Sequence, residues 1–177
     1  MTTHRLHQPV KKIKVAKGNE KLPPHHYRIR ITYAPLPSMA KLEKKFGKGN
    51  VSRIFDGRKF KPHRSCIKAD LTPGVKVLWA AEVPADVLDD SEKIIVWADK
   101  QRNEFAPKGY RPATHQEIYE FQKKRWIDWL VALGSFAMVS DFHCVAALHC
   151  DSDRRIFGHD WFGDRWHAVD RFLFVRK

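Results

Sequence analysis

Acidic side chains are nearly missing from the first 68 positions, which hold 3 Asp and Glu against 18 Lys and Arg. Cysteine is scarce as well. Three in 177 residues is an odd number and makes no disulfide framework, so a reducing, intracellular setting is expected. No run of 18 or more apolar residues occurs, which excludes a membrane-spanning helix. The opening Met1-Thr-Thr-His-Arg5 leads into polar and basic residues without an apolar stretch, so no secretory leader is expected. Tryptophan is absent before position 79.

Several chemical signatures are missing too. Gly47-Lys-Gly49 lacks the G-x-x-x-x-G-K-[ST] spacing of a phosphate loop, and no strand leads into it. Neither a G-x-S-x-G elbow, an H-E-x-x-H helix nor a zinc-deaminase pattern occurs. No cofactor is implied, and the balance leans away from an enzyme.

What is present is charge in one place. The chain carries +13 overall, and residues 69–177 hold 15 Lys and Arg against 17 Asp and Glu. The excess is confined to residues 1–68, where it attracts polyanions. A composition of 43% hydrophobic and 30% charged residues fits one globular domain of this length.

Residues 1–24 read as a flexible basic arm. Lys11, Lys12, Lys14 and Lys17 have only Ile13 and Val15 between them, and Pro23-Pro24 stops any regular element. The domain then spans residues 25–177. Tyr27 to Tyr33 alternates with period two, a strand. Ser38 is placed to cap a short helix over residues 39–46, ended by Gly47, with Met39, Leu42 and Phe46 inward. Val51 to Phe55 and Arg58 to Lys61 flank Asp56-Gly57, a turn pair that favours a tight hairpin. A second short helix capped by Asn50 is the alternative.

Val75 to Ala80 reads as a strand, Ser91 to Ala98 as strand or helix, and 107–112 as a loop. Thr114-His-Gln-Glu117 is a capping box, and Ile118, Phe121, Trp126 and Trp129 continue its stripe, predicting a main helix over about 115–129. Beyond it lie strands at 136–139, 142–150, 155–157 and 172–175, with Trp161, Phe162 and Trp166 walling the core. The fold class is α+β: one compact domain with a mainly antiparallel sheet.

The segments Gly109-Tyr-Arg-Pro-Ala-Thr-His115, Val131-Ala-Leu-Gly-Ser135, Asp160-Trp-Phe162 and Arg171-Phe-Leu-Phe-Val-Arg-Lys177 carry a resemblance. Together with Val51 to Arg58 and His63-Arg-Ser-Cys66, they resemble a set of small uncharacterised bacterial proteins over residues 40–177. The resemblance implies a bacterial, intracellular α+β protein. It carries no activity and no catalytic residue.

Three clusters of His, Cys and Asp bear on chemistry. On a strand, His143 and His149 stand about 20 Å apart at roughly 3.3 Å per residue, too far to share a metal ion. The opposite face, Cys144 and Cys150, reads as core. His63 with Cys66 suggests a base and a thiol, whose pKa Lys61, Arg64 and Lys68 would lower. A half-buried cysteine at a strand end is the favoured reading. His159-Asp160 suggests a phosphohydrolase pair, or only a turn. A hydrolase or thiol enzyme would need all four to converge.

The leading expectation is a non-enzymatic, cytoplasmic nucleic-acid-associated protein, with RNA favoured over DNA. Lys11, Lys12, Lys14 and Lys17 would hold phosphates, and Lys44, Lys45, Lys48, Arg53, Arg58, Lys59, Lys61 and Arg64 would form a docking face. Phe46, Phe55 and Phe60 lie among these cations. Phe46 reads as core, while Phe55 and Phe60 could stack on bases. A protein-binding adaptor using the Trp-rich C-terminal half is the rival.

Overall fold

The computed structural model describes residues 21–124, 129–150 and 154–177. Lys11, Lys12, Lys14 and Lys17 of the predicted arm lie outside the described residues. None of the described helices is long and apolar enough to cross a membrane.

The alternating stretch that opens the domain forms β1, His26–Ile31, with Ile29 and Ile31 buried. The helix predicted after it is present as α1, Met39–Phe46, with Leu42 and Phe46 inward. Gly47 closes it at φ +99°, a conformation that glycine adopts at little cost. Ser38 precedes α1, but its hydroxyl makes no capping bond.

The Asp56-Gly57 hairpin does not form. Val51 bridges to Phe157, Ser52 caps a single 3-10 turn at Arg53–Phe55, and Lys61–Pro62 (β2) pairs elsewhere. Ile54 and Phe55, adjacent in sequence, are both buried. A hairpin would turn one of them outward, because strand neighbours face opposite ways. The helix alternative fares little better. The turn spans three residues and is capped by Ser52, not Asn50.

Strand β3, Gly74–Ala81, is followed by a helix, which settles the ambiguous segment as α2, Ser91–Lys100. Asp90 caps it by accepting from the Glu92 amide at 2.7 Å, and Ile94, Ile95 and Ala98 face inward. The expected loop at 107–112 contains a strand instead. Tyr110–Pro112 (β4) pairs with the last strand, where its residues are buried.

The capping box is present: Thr114 accepts from the Glu117 amide, and Glu117 accepts from the Thr114 amide at 2.8 Å. The helix it starts, α3, runs only His115–Phe121 and does not reach Trp129. Trp129 lies just ahead of a strand and donates its indole N–H to Asp160 at 2.7 Å, which takes it off the helical stripe.

The remaining strands are β5 (Leu130–Val139), β6 (Phe142–Cys150), β7 (Arg155–Trp161) and β8 (Arg171–Arg176). The sheet runs β1-β3-β8-β5-β6-β7, with β2 on β5 and β4 on β8. Among the described strands, β5 with β8 is the parallel pair and the rest are antiparallel. At the bulge in β5, a Cβ on Gly134 would meet the Ala113 carbonyl oxygen at 2.6 Å, so only glycine lets these backbones meet.

Both faces of the sheet are covered. Cys144, Ala146, Leu148 and Phe157 pack under α1 and α3, and Val145, Ala147, Phe172 and Phe174 pack under α2. This explains the nearly continuous apolar run of β6, where alternate residues feed two cores. Trp166 is buried and donates to Ser91 at 2.9 Å, while Phe162 is partly buried. Trp161, expected in the core wall, is exposed instead.

Candidate functional site

Segment 41–68 is attached to the sheet by its aromatic residues. Phe46 stacks on Phe157 at 5.5 Å, and Phe55 stacks on the same ring at 4.0 Å. Phe60 is sandwiched between Phe55, at 5.6 Å, and His115, at 4.2 Å. Phe55 and Phe60 are therefore committed internally and offer no stacking face. Phe46 is core, as its helical position predicted.

With the apolar residues turned inward, the cations turn outward. Lys44, Lys45, Lys48, Arg53, Arg58, Lys59, Lys61 and Arg64 are all exposed. They are not equally free. Arg53 is paired loosely with Asp56 at 3.8 Å, and Arg58 donates to the Met138 carbonyl at 2.8 Å. Lys45 lies 5.0 Å over the Tyr119 ring, and burial, followed by the charge of Lys123, holds its amine below the usual value. Arg64 stands apart from the rest, drawn to Glu92 of α2 at 3.1 Å. Lys44, Lys48, Lys59 and Lys61 have no carboxylate partner among the described residues.

Where this segment meets the edge of β7, a pocket of about 510 Å³ opens between Asn50, Ser52, Arg53, Arg58, Val139 and His159. Ser52 Oγ lies 2.8 Å from His159 Nδ1, and Ser52 also accepts from the Ile54 amide. The pair joins the turn to the edge strand. Nearby, Phe142 and Trp161 stack on each other at 4.8 Å with planes 10° apart, and they are 52% and 46% exposed.

A second basic region was not legible in the sequence. Lys68, Lys76, Lys108, Arg111, Arg176 and Lys177 line a cleft of about 380 Å³, brought together from three distant segments. Arg111 is buried and held from behind by Glu117 at 2.6 and 2.9 Å. Against the cost of its burial, Arg111, Tyr33 and the Thr114 amide keep the Glu117 carboxyl below the usual range. Asp70, on the cleft wall, is bonded to Lys76 at 2.7 Å, and Lys76 and Thr72 hold its carboxyl well below that range. Lys68 and Lys108 have no charged partner among the described residues. A net positive cleft of this kind attracts compact anions.

The enzyme candidates do not assemble. Cys66 is buried, and burial raises its thiol, the opposite of the lowering expected from its basic neighbours. Its Sγ donates to the Pro112 carbonyl at 3.4 Å. His63 engages Ser65 at 2.8 Å and Glu92 at 3.0 Å, so both its ring nitrogens are occupied without the thiol. His159 is bonded to Ser52, and Asp160, its carboxyl raised by burial, to Trp129. Both lie on a strand, not in a turn.

His143 packs on Phe136 at 4.3 Å, and His149 packs on Trp129 at 4.3 Å. No group of three or more His, Cys, Asp and Glu side chains is placed to hold a metal ion among the described residues. Compared with models of known protein families, with curated proteins and with solved structures, the chain matches none.

Proposed function

We propose that this chain is a non-enzymatic nucleic-acid-associated protein of the bacterial cytoplasm that holds the phosphate backbone. Lys11, Lys12, Lys14 and Lys17 supply nonspecific contacts, and the cations of residues 41–68 supply the docking surface. One observation carries the reading. Segment 41–68 spends its phenylalanines on the core and leaves Lys44, Lys48, Lys59 and Lys61 exposed without carboxylate partners. Unneutralised cations release counterions from a polyanion, which is the main source of such affinity. RNA is favoured over DNA because an extended basic arm suits an irregular folded anion better than a groove reader does.

The adaptor reading predicts an exposed patch built from several tryptophans. Of the five tryptophans that lie within the described residues, only Trp161 is exposed. That favours nucleic acid over a protein partner.

The test is fluorescence anisotropy with single-stranded RNA, duplex RNA and duplex DNA across a salt series, on the full chain. Reversing Lys44, Lys48, Lys59 and Lys61 to Glu is expected to weaken binding and flatten the fall of log K with log[salt]. Reversing Lys11, Lys12, Lys14 and Lys17 tests the arm separately. Unchanged binding in both variants overturns the proposal.

A further inference from the structure

We propose that the Phe142–Trp161 pair is a stacking platform for the unpaired bases of single-stranded nucleic acid. The inference rests on the nucleic-acid reading above and narrows its ligand class. Phe142 faces Val139 across the β5–β6 ladder, and Trp161 faces Cys144 across the β6–β7 ladder. Phe142 and Cys144 are two positions apart on one strand, so both aromatic rings fall on the face that carries Cys144, Ala146, Leu148 and Phe157.

Further along the strands this face is core, under α1 and α3. At its end the apolar stripe runs out of the core, and the described chain leaves about half of each ring uncovered. Their mutual stacking fixes the surface they offer, with planes 10° apart. Large aromatic side chains left half exposed together mark a place where a partner sits.

Charge selects the partner. Arg58 crosses to the carbonyl of Met138, the residue before the cross-strand neighbour of Phe142. Arg53 and Arg58 line the same pocket as Val139, that cross-strand neighbour. Phosphates held by these cations bring attached bases towards the rings. A positively charged track beside exposed aromatic faces is how single strands are bound without sequence readout. In a duplex the bases are already stacked and paired, so the platform adds nothing there. Asp141, exposed in the turn beside Phe142, opposes the incoming phosphates.

The experiment compares the full-length protein with Phe142→Ala, Trp161→Ala, Trp161→Phe and Asp141→Asn, using a short oligouridylate and a duplex RNA as probes. Each alanine variant is expected to lose about 5- to 100-fold in oligouridylate affinity and to keep its duplex affinity. Trp161→Phe retains most of the single-strand binding, and Asp141→Asn gains some. Thermal melts confirm that each variant is folded. Single-strand binding unchanged in both alanine variants overturns the platform, leaving the patch to a protein partner and the phosphate-binding reading standing. Equal losses on both probes also overturn it. No binding of either probe by the unaltered protein overturns the reading on which the platform rests.

Discussion

Two aromatic stacks stand on the same face of the sheet and meet opposite fates. In one, Phe46 and Phe55 stack on Phe157 and Phe60 bridges to His115, all buried or half-buried. In the other, Phe142 and Trp161 have the same parallel geometry but lie open to water. The first stack fixes segment 41–68 to the sheet, and that attachment is what turns its lysines outward. The second joins β6 to β7 and is left half exposed. Stacking geometry alone therefore does not mark a site. The decisive property is whether the chain itself covers the rings.

The largest expected effect breaks the buried side of this comparison. Phe55→Ala opens a cavity against Phe157 and should destabilise the fold by about 3–5 kcal/mol. Phe142→Ala should cost less than about 1 kcal/mol, because its ring is half exposed. Urea unfolding of both variants makes the comparison directly, and equal losses would erase the distinction between the stacks.

Charge repeats the contrast. Arg111 and Glu117 form a buried bidentate pair, 5% and 0% exposed, whereas the lysines of segment 41–68 are solvated. Glu117→Ala strands a buried guanidinium and removes the acceptor of the Thr114 amide, and it should cost about 3–5 kcal/mol. Lys59→Glu should change stability by no more than about 0.5 kcal/mol. Chemical unfolding in low and moderate salt separates the two cases.

A smaller effect comes from His115, which ends the buried stack. Burial holds its imidazole down to about 4, below the ordinary value of 6.5. The unfolded chain then binds more protons than the fold between these values, so stability rises with pH across that window. Its contribution is complete above pH 6.5 and is lost as pH falls towards 4. His115→Gln should flatten that part of the profile, measured as the urea midpoint from pH 7.5 to 4.5. A slope equal to that of the unaltered protein would show that His115 is not held neutral.

Much of this arrangement was legible in the sequence, for local reasons. The alternation of β1, the three- and four-residue spacing in α1 and the capping box of α3 are decided by neighbouring residues. What failed depended on distant partners. Asp56-Gly57 favours a hairpin only if its flanks pair with each other. Here β7 takes Val51, and β5 takes Lys61 and Pro62. Trp129 fits a helical stripe until Asp160 supplies a partner for its indole.

The site divides in the same way. The exposure of the eight cations was readable, because charges rarely bury without partners. The aromatic neighbours of those cations in the sequence are buried or half-buried, and the exposed rings come from strands a hundred residues on. The cleft of Lys68, Lys108 and Lys177 joins three segments by folding alone. Cys66 shows the limit most plainly: basic neighbours suggest an activated thiol, but burial governs it.

The smallest expected change is in Lys68 and Lys108, and it sharpens the comparison between surface charge and stability. Both are exposed, and neither has a charged partner among the described residues, so Lys68→Glu with Lys108→Glu should leave the unfolding midpoint nearly unaltered. Binding to nucleic acid answers a different question. If the cleft contacts phosphates, each lost contact should flatten the salt slope by about 0.7 for a single strand and about 0.9 for B-form DNA. A slope unaltered by the cleft variant but flattened by reversal of Lys44, Lys48, Lys59 and Lys61 would confine the phosphate track to segment 41–68. Flattening by both would extend the track over two surfaces, one assembled by sequence neighbours and the other by the fold.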